Sequence, residues 1–355
     1  MAATLFGMIA LPLSAEPLDL QGAVNRSIDD VIVPGYEALA GAATEQADAI
    51  STLCDAPGAV ALTAARTRFQ TLVATFSRME PFRFGPARED NRIERLFFWP
   101  DPRGRGLRQV QRIVDSADES ATDRHALQQK SVAVQGLPAL EFTLFGTGSE
   151  TLADGRAPHR CRYARATANA IADVAIRLRD EWSSPDGYAS RLRHPAEDNS
   201  IYRNADEAMQ ELLKAARQQL QATADLKLEI ALGDAPQNAK PKTLPFWRSG
   251  HALRAIENNL IGVNRLIAVW QLGSILDRET ALIADQLHRE LGTALDAIAA
   301  AQAMDEDVLA VVESSNGHSH LVYAGIPVRS AIALLSEDIA DALGLTVGFN
   351  ALDGD

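Results

Sequence analysis

Apolar residues recur at three- and four-residue steps along most of the chain, the period of helices that bury one face. Leu18, Val24, Ile28, Val31, Ile32 and Leu39 outline a first helix. Pro34 predicts a kink or break in it, because proline lacks an amide hydrogen and crowds the preceding turn. Leu62, Phe69, Leu72, Val73, Phe76 and Met79 outline a second helix, opened by Pro57-Gly58. Residues 81–107 hold Pro81, Pro86, Pro100 and Pro102, which predicts an irregular loop with at most a short helix over Arg92–Phe97. Helical spacing resumes over 108–134 and again over 162–182, where Tyr163, Ala170, Val174, Leu178 and Trp182 form a stripe.

The second half has the same style. Residues 183–200, with Ser183-Ser184-Pro185-Asp186-Gly187 and His194-Pro195, read as a connection. Beyond it Met209, Leu212, Leu213 and Leu220 mark one helix, and Leu253, Ile256, Leu260, Val263, Ile267 and Trp270 another. Leu282, Ile283, Leu287, Leu291, Leu295 and Ile298 mark a third. Ile332, Leu335, Ile339 and Leu343 mark a last one, ending with Gly344 just past the helix. Four helices per half suit antiparallel bundles. The expected fold is all-α, with two four-helix-bundle-like domains, 16–190 and 191–355, packed together.

Composition narrows the function classes. Aromatic residues make up only 6% of the 355 positions, and abundant alanine favours helices over β-sandwiches. A net charge of −13 leaves no basic excess to neutralise phosphates, which argues against a nucleic-acid partner. Ala2 to Leu13 has the length of a signal-peptide apolar region, and Leu13-Ser14-Ala15 is an acceptable cleavage site, so residues 1–15 read as a signal peptide. No later segment holds about 18 uninterrupted apolar residues, so no transmembrane anchor is expected. In an oxidising compartment the two cysteines, Cys54 and Cys161, are expected to form a disulfide; the alternative is two buried thiols.

One carboxylate stands out. Glu141 lies within Gly136-Leu137-Pro138-Ala139-Leu140-Glu141-Phe142-Thr143-Leu144-Phe145-Gly146, a run that otherwise reads as core. Pro138 predicts a helix start, which places Glu141 in the first turn, where free N–H groups favour an anion. Buried without a partner it would cost several kcal/mol, on the order of the desolvation penalty of an ion. It is therefore either a structural acid paired with an arginine, Arg248 or Arg92, or part of a functional site.

The same run resembles the signature of the imelysin-like family, bacterial cell-envelope proteins first described as insulin-cleaving metallopeptidases and related to iron-uptake lipoproteins. That signature is Gly-x-His-x-x-Glu followed by an apolar run and a glycine. Gly136 and Glu141 match its outer positions, but the histidine position is Pro138, which offers no lone pair. In the family form the imidazole and carboxylate stand three residues apart on one helical face and can share a metal. Phe98-Trp99-Pro100-Asp101, Leu244-Pro245-Phe246-Trp247-Arg248-Ser249 and the C-terminal Leu343–Asp355 segment resemble further family elements in the same order. The resemblance implies a periplasmic or cell-envelope protein linked to iron, binding a ligand or metal rather than acting catalytically. It implies Glu141 as a metal ligand deprived of its imidazole partner, iron or another divalent or trivalent ion as the weakly held metal, and iron-uptake or redox proteins as partners. A zinc-type metallopeptidase and a scaffold without a metal site are the alternatives.

No other motif supplies catalytic chemistry. The chain lacks His-Glu-x-x-His, Gly-x-Ser-x-Gly and a P-loop. His318-Ser319-His320, after Asn316-Gly317, reads as a solvated turn. The run Arg83, Arg88, Arg92, Arg95, Arg103, Arg105, Arg108 and Arg112 reads as a solvated face or a source of partners for Glu141. Trp99, Asp101, Glu141, Arg248, Ser249 and the tail residues Asn350, Asp353 and Asp355 are the non-periodic polar elements. They are expected either to converge as a ligand site or to act as caps and docking contacts.

Overall fold

The computed structural model describes residues 18–345, apart from residues 277 and 306 and the side chains of 275 and 278–280. The expected signal peptide and the tail with Asn350, Asp353 and Asp355 lie outside the described residues. Helices and short helical turns are the regular structure of the described residues, and no strand occurs among them. The architecture is all-α.

Helix Val33–Asp55 lies between Ala59–Met79 and Pro158–Ser183. Val33–Asp55 buries Ala40, Ala43 and Ala47, and Pro158–Ser183 buries Ala164, Ala168, Ala172 and Ala175. Small side chains let the two axes approach closely, as ridge-into-groove packing allows. At one end Tyr36 stacks on Trp182 with ring centroids 5.7 Å apart. At the other end Cys54 and Cys161 form a disulfide, with Cα atoms 5.5 Å apart. Ala59–Met79 in turn packs on Ala252–Trp270, which packs on Arg278–Gln302, and that helix on Ser315–Leu334. A continuous apolar core runs through all of them, and a smaller cluster gathers around Val110, Ile113, Leu127 and Tyr163.

Three local expectations are corrected. Pro34 does not break its helix: the chain stays helical from Leu20 to Asp55, and the π turn over Ile28–Ile32 just before Pro34 is the local distortion that accommodates a residue without an N–H. The single helix expected over 108–134 is instead Arg105–Ser116 followed by short turns, because Asp118, Asp123 and Ser131 accept hydrogen bonds from backbone N–H groups ahead of them. His318-Ser319-His320 is not a solvated turn but part of Ser315–Leu334; buried His318 donates from Nε2 to the Leu232 carbonyl at 3.2 Å. At the end of the last helical run Gly344 sits at φ +68°, and Leu345 N–H reaches back to Ala340, the left-handed stop that glycine tolerates.

Candidate functional site

Helix Leu137–Phe145 is the centre of the candidate site. Leu137, Ala139, Leu140, Glu141, Phe142, Thr143 and Leu144 are all buried, so it is a central helix rather than an amphipathic one. Gly136 opens it where a Cβ would come 2.3 Å from the Leu96 carbonyl oxygen, so no larger residue fits. Its C-terminal carbonyls, which have no partners within the helix, are taken by two arginines. Buried Arg160 donates to the carbonyls of Phe142, Thr143 and Thr147 at 2.8, 2.9 and 2.7 Å, and Arg66 Nε donates to Leu144 at 2.9 Å. These bonds fix the helix, and with it Glu141.

Glu141 is 3% exposed. It is the fifth residue of its helix, beyond the first turn, so its stabilising donors come from elsewhere. Its Oε1 accepts from Ser249 N–H at 3.0 Å and from Ser249 Oγ at 2.8 Å. The expected arginine pairing is corrected: Arg92 forms its ion pair with Glu181, and among the described residues no arginine closes a salt bridge on Glu141. Arg248 acts on it through its charge and its backbone N–H, not through a guanidinium contact. Burial pushes the Glu141 carboxyl above the ordinary carboxylate range, against the hydrogen bonds from Ser249 and the charge of Arg248, which pull it down.

A group whose folded value is raised contributes stability that is fully present below its ordinary value and is lost as pH rises through the folded value. Glu141→Gln keeps an oxygen for Ser249 and removes the charge. The variant is expected to melt no lower than the parent at pH 7, with its relative advantage shrinking as pH falls through the raised folded value toward the ordinary carboxylate range. Thermal melts of both proteins across this range check it; a variant several degrees less stable at pH 7 would show that the ionised carboxylate holds the site together.

Ser249 is presented by a tight turn. Phe246 adopts φ +59°, a left-handed conformation that is costly for an aromatic residue, on the order of 1–3 kcal/mol. It is held there by burial at 3% exposure and by stacking on Phe97 at 5.3 Å, while its carbonyl accepts from Ser249 Oγ and His251 N–H. His251 follows, stacked on Phe69; its value is pushed down to about 4, mainly by burial, so the ring is neutral at physiological pH.

Trp99, Asp101, Pro138, Glu141 and Arg248 line one cavity of about 410 Å³, and Ser249 anchors Glu141 at its edge. Trp99 follows Phe97 in a stack at 5.9 Å, donates Nε1–H to the Thr243 carbonyl at 3.1 Å and precedes a cis peptide to Pro100. Asp101 is occupied structurally: its oxygens accept from the N–H groups of Arg105, Gly106 and Leu107 at 2.8, 2.8 and 3.3 Å, at the start of Arg105–Ser116. Arg248 lies 4.2 Å over the Trp247 ring and 5.9 Å from that of Phe142. The structure therefore brings five of the sequence-selected elements together.

Sequence reasoning missed Lys242, whose Nζ is 5.4 Å from the Trp247 ring on the same rim. It also missed buried Lys227 behind the Phe97–Trp99 wall, 5.6 Å from the Trp99 ring and 2.7 Å from Glu80 Oε2. Both lie in segments with no motif. For Lys227 the signal was a lone lysine between Leu226 and Leu228, which helical spacing alone does not place inside.

The sequence model of the imelysin family matches residues 32–324. The chain is 24% identical over 320 residues to iron-regulated protein A of Synechococcus elongatus, covering 88% of this chain and 82% of that protein. Its fold is similar to the crystal structure of an imelysin-like protein from Psychrobacter arcticum, with a TM-score of 0.77 at 21% identity over 96% of this chain and all of that one. It is also similar to a Parabacteroides distasonis structure described as an iron-regulated protein A precursor, with a TM-score of 0.73 at 16% identity over 93% and 97% of the two chains. The structural likenesses establish the shared fold, and the match over residues 32–324 establishes the kinship: the chain belongs to the imelysin family.

Proposed function

We propose that this chain is an exported, iron-linked imelysin-family protein that holds a ligand in the cleft at the junction of two helical halves, 16–190 and 191–355, and does not act as a peptidase. The iron link is supported by the description of its Synechococcus relative as iron-regulated. The ligand reading is carried by one observation: Trp99 and Glu141 from the first half and Arg248 from the second face one cavity of a size suited to a small organic molecule. No described helix is long and apolar enough to cross a membrane.

The donor set does not suit a metallopeptidase. Zinc needs three or four protein ligands, or three and an open position. Pro138 stands in the histidine position, Asp101 is engaged with three N–H groups, and Glu141 gives one oxygen to Ser249. Among the described residues no group of three or more His, Cys, Asp and Glu side chains converges.

Calorimetry with Zn²⁺ on the purified protein tests the reading. No tight stoichiometric binding is expected. Pro138→His is expected to raise affinity, because it places an imidazole three residues before Glu141 in the same cleft. Tight binding by the unmodified chain that is lost in Glu141→Gln would overturn the assignment and favour a metal centre.

A further inference from the structure

Taking the cleft as a ligand site, we propose that it selects an organic anion: an apolar or aromatic body with a carboxylate-like head, the head seated on Arg248 and Lys242. Arg248 is half-buried and its side chain makes no hydrogen bond or ion pair among the described residues; its guanidinium only stacks on Trp247 and approaches Phe142. A planar fork of N–H donors fixed over an aromatic face is set for bidentate contact with a carboxylate, and its side-chain entropy is already spent. Lys242 stands over the same indole, also with no hydrogen-bonding partner among the described residues.

The negative groups in the cleft do not cancel these charges. Asp101 has its oxygens committed to three backbone N–H groups. Glu141 has one oxygen committed to Ser249, and burial drives it toward its neutral form. Burial likewise pushes the Arg248 guanidinium below its ordinary value, with Glu141 only partly offsetting this, so an arriving anion supplies the counter-charge that the protein withholds. The opposite choice, an ammonium on Glu141, meets a carboxyl that is already hydrogen-bonded and faces two cations across the cavity. The body of the ligand is set by the walls: Phe97, Trp99 and Phe246 form a stack with spacings of 5.3 and 5.9 Å, which suits a flat or aliphatic group.

Calorimetry on the full chain with three probes of one shape tests this: 1-naphthoate, 1-naphthalenemethanol and 1-naphthylmethylammonium. The naphthoate is expected to bind about tenfold or more tightly than the alcohol, and the ammonium most weakly, as a charge-assisted hydrogen bond in a half-buried site predicts. Arg248→Gln should bring naphthoate down to the level of the alcohol and leave the alcohol unchanged. Lys242→Gln should cause a smaller loss, and Arg248→Lys should keep part of the preference. The Arg248 side chain holds no hydrogen bond, so these variants should retain the parent's circular dichroism and Tm; Lys242→Gln, at an exposed position, provides an independent reading if Arg248→Gln does not fold. Equal binding of all three probes, preference for the ammonium, or an unchanged naphthoate affinity in a folded Arg248→Gln overturns the anion assignment while the cleft stands. No binding of any probe to the parent overturns the ligand cleft itself.

Discussion

Replacing Cys54 and Cys161 with alanine is expected to lower the unfolding free energy by about 4–5 kcal/mol. The bridge joins residues 107 apart in sequence, so in the chain-entropy model it removes a large share of the conformations open to the unfolded chain. It ties the C-terminal end of Val33–Asp55 to the first turn of Pro158–Ser183, and that second helix supplies Arg160, the cap of the helix that carries Glu141. The loss should therefore reach the site as well as global stability. Urea denaturation of the oxidised protein, of the reduced protein and of the double variant measures it. Equal midpoints for all three would show that the unfolded chain gains nothing from being released, and that the bridge is structurally idle.

Lys227→Met is expected to destabilise the fold by about 3–5 kcal/mol, the cost of leaving a buried charge without its partner. Lys227 and Glu80 are 1% and 2% exposed. The lysine Nζ donates to Glu80 Oε2 at 2.7 Å and to Asn259 Oδ1 at 2.6 Å, and Asn259 Nδ2 closes the network on Glu80 at 2.9 Å and on the Ser77 carbonyl at 2.7 Å. Burial tends to raise the Glu80 carboxyl, but Lys227, Arg83 and the hydrogen bonds together hold it below the ordinary range. With its folded value depressed, the stability Glu80 contributes is present above its ordinary value and is lost as pH falls through the folded one. Converting both partners to apolar residues of similar size, Lys227→Met with Glu80→Leu, should recover most of the loss, because no buried charge then remains. A double-mutant cycle by denaturant unfolding decides the matter; additive single and double effects would show that the two groups do not interact.

The helical class and much of the order of elements can be read from the residues alone. Helical periodicity survives in residues such as Leu62, Phe69, Leu72 and Phe76 because burial on one face is a local pattern with a fixed step. The boundaries went astray where side chains compete with the backbone, at Asp118, Asp123 and Ser131, and where a π turn took up Pro34. Glu141 was legible as an anomaly, since a lone acid among Leu140, Phe142 and Leu144 demands a partner. Which partner it takes depends on how distant segments pack. Ser249 lies 108 positions away, on a turn whose shape depends on a left-handed Phe246, and no sequence spacing encodes that approach. The same holds for Asp101, whose oxygens are spent on a helix start, and for Arg248, whose guanidinium is left without a hydrogen-bonding partner over Trp247. A sequence reports which groups need partners; three-dimensional packing decides which of them find one within the chain and which are left facing the cleft.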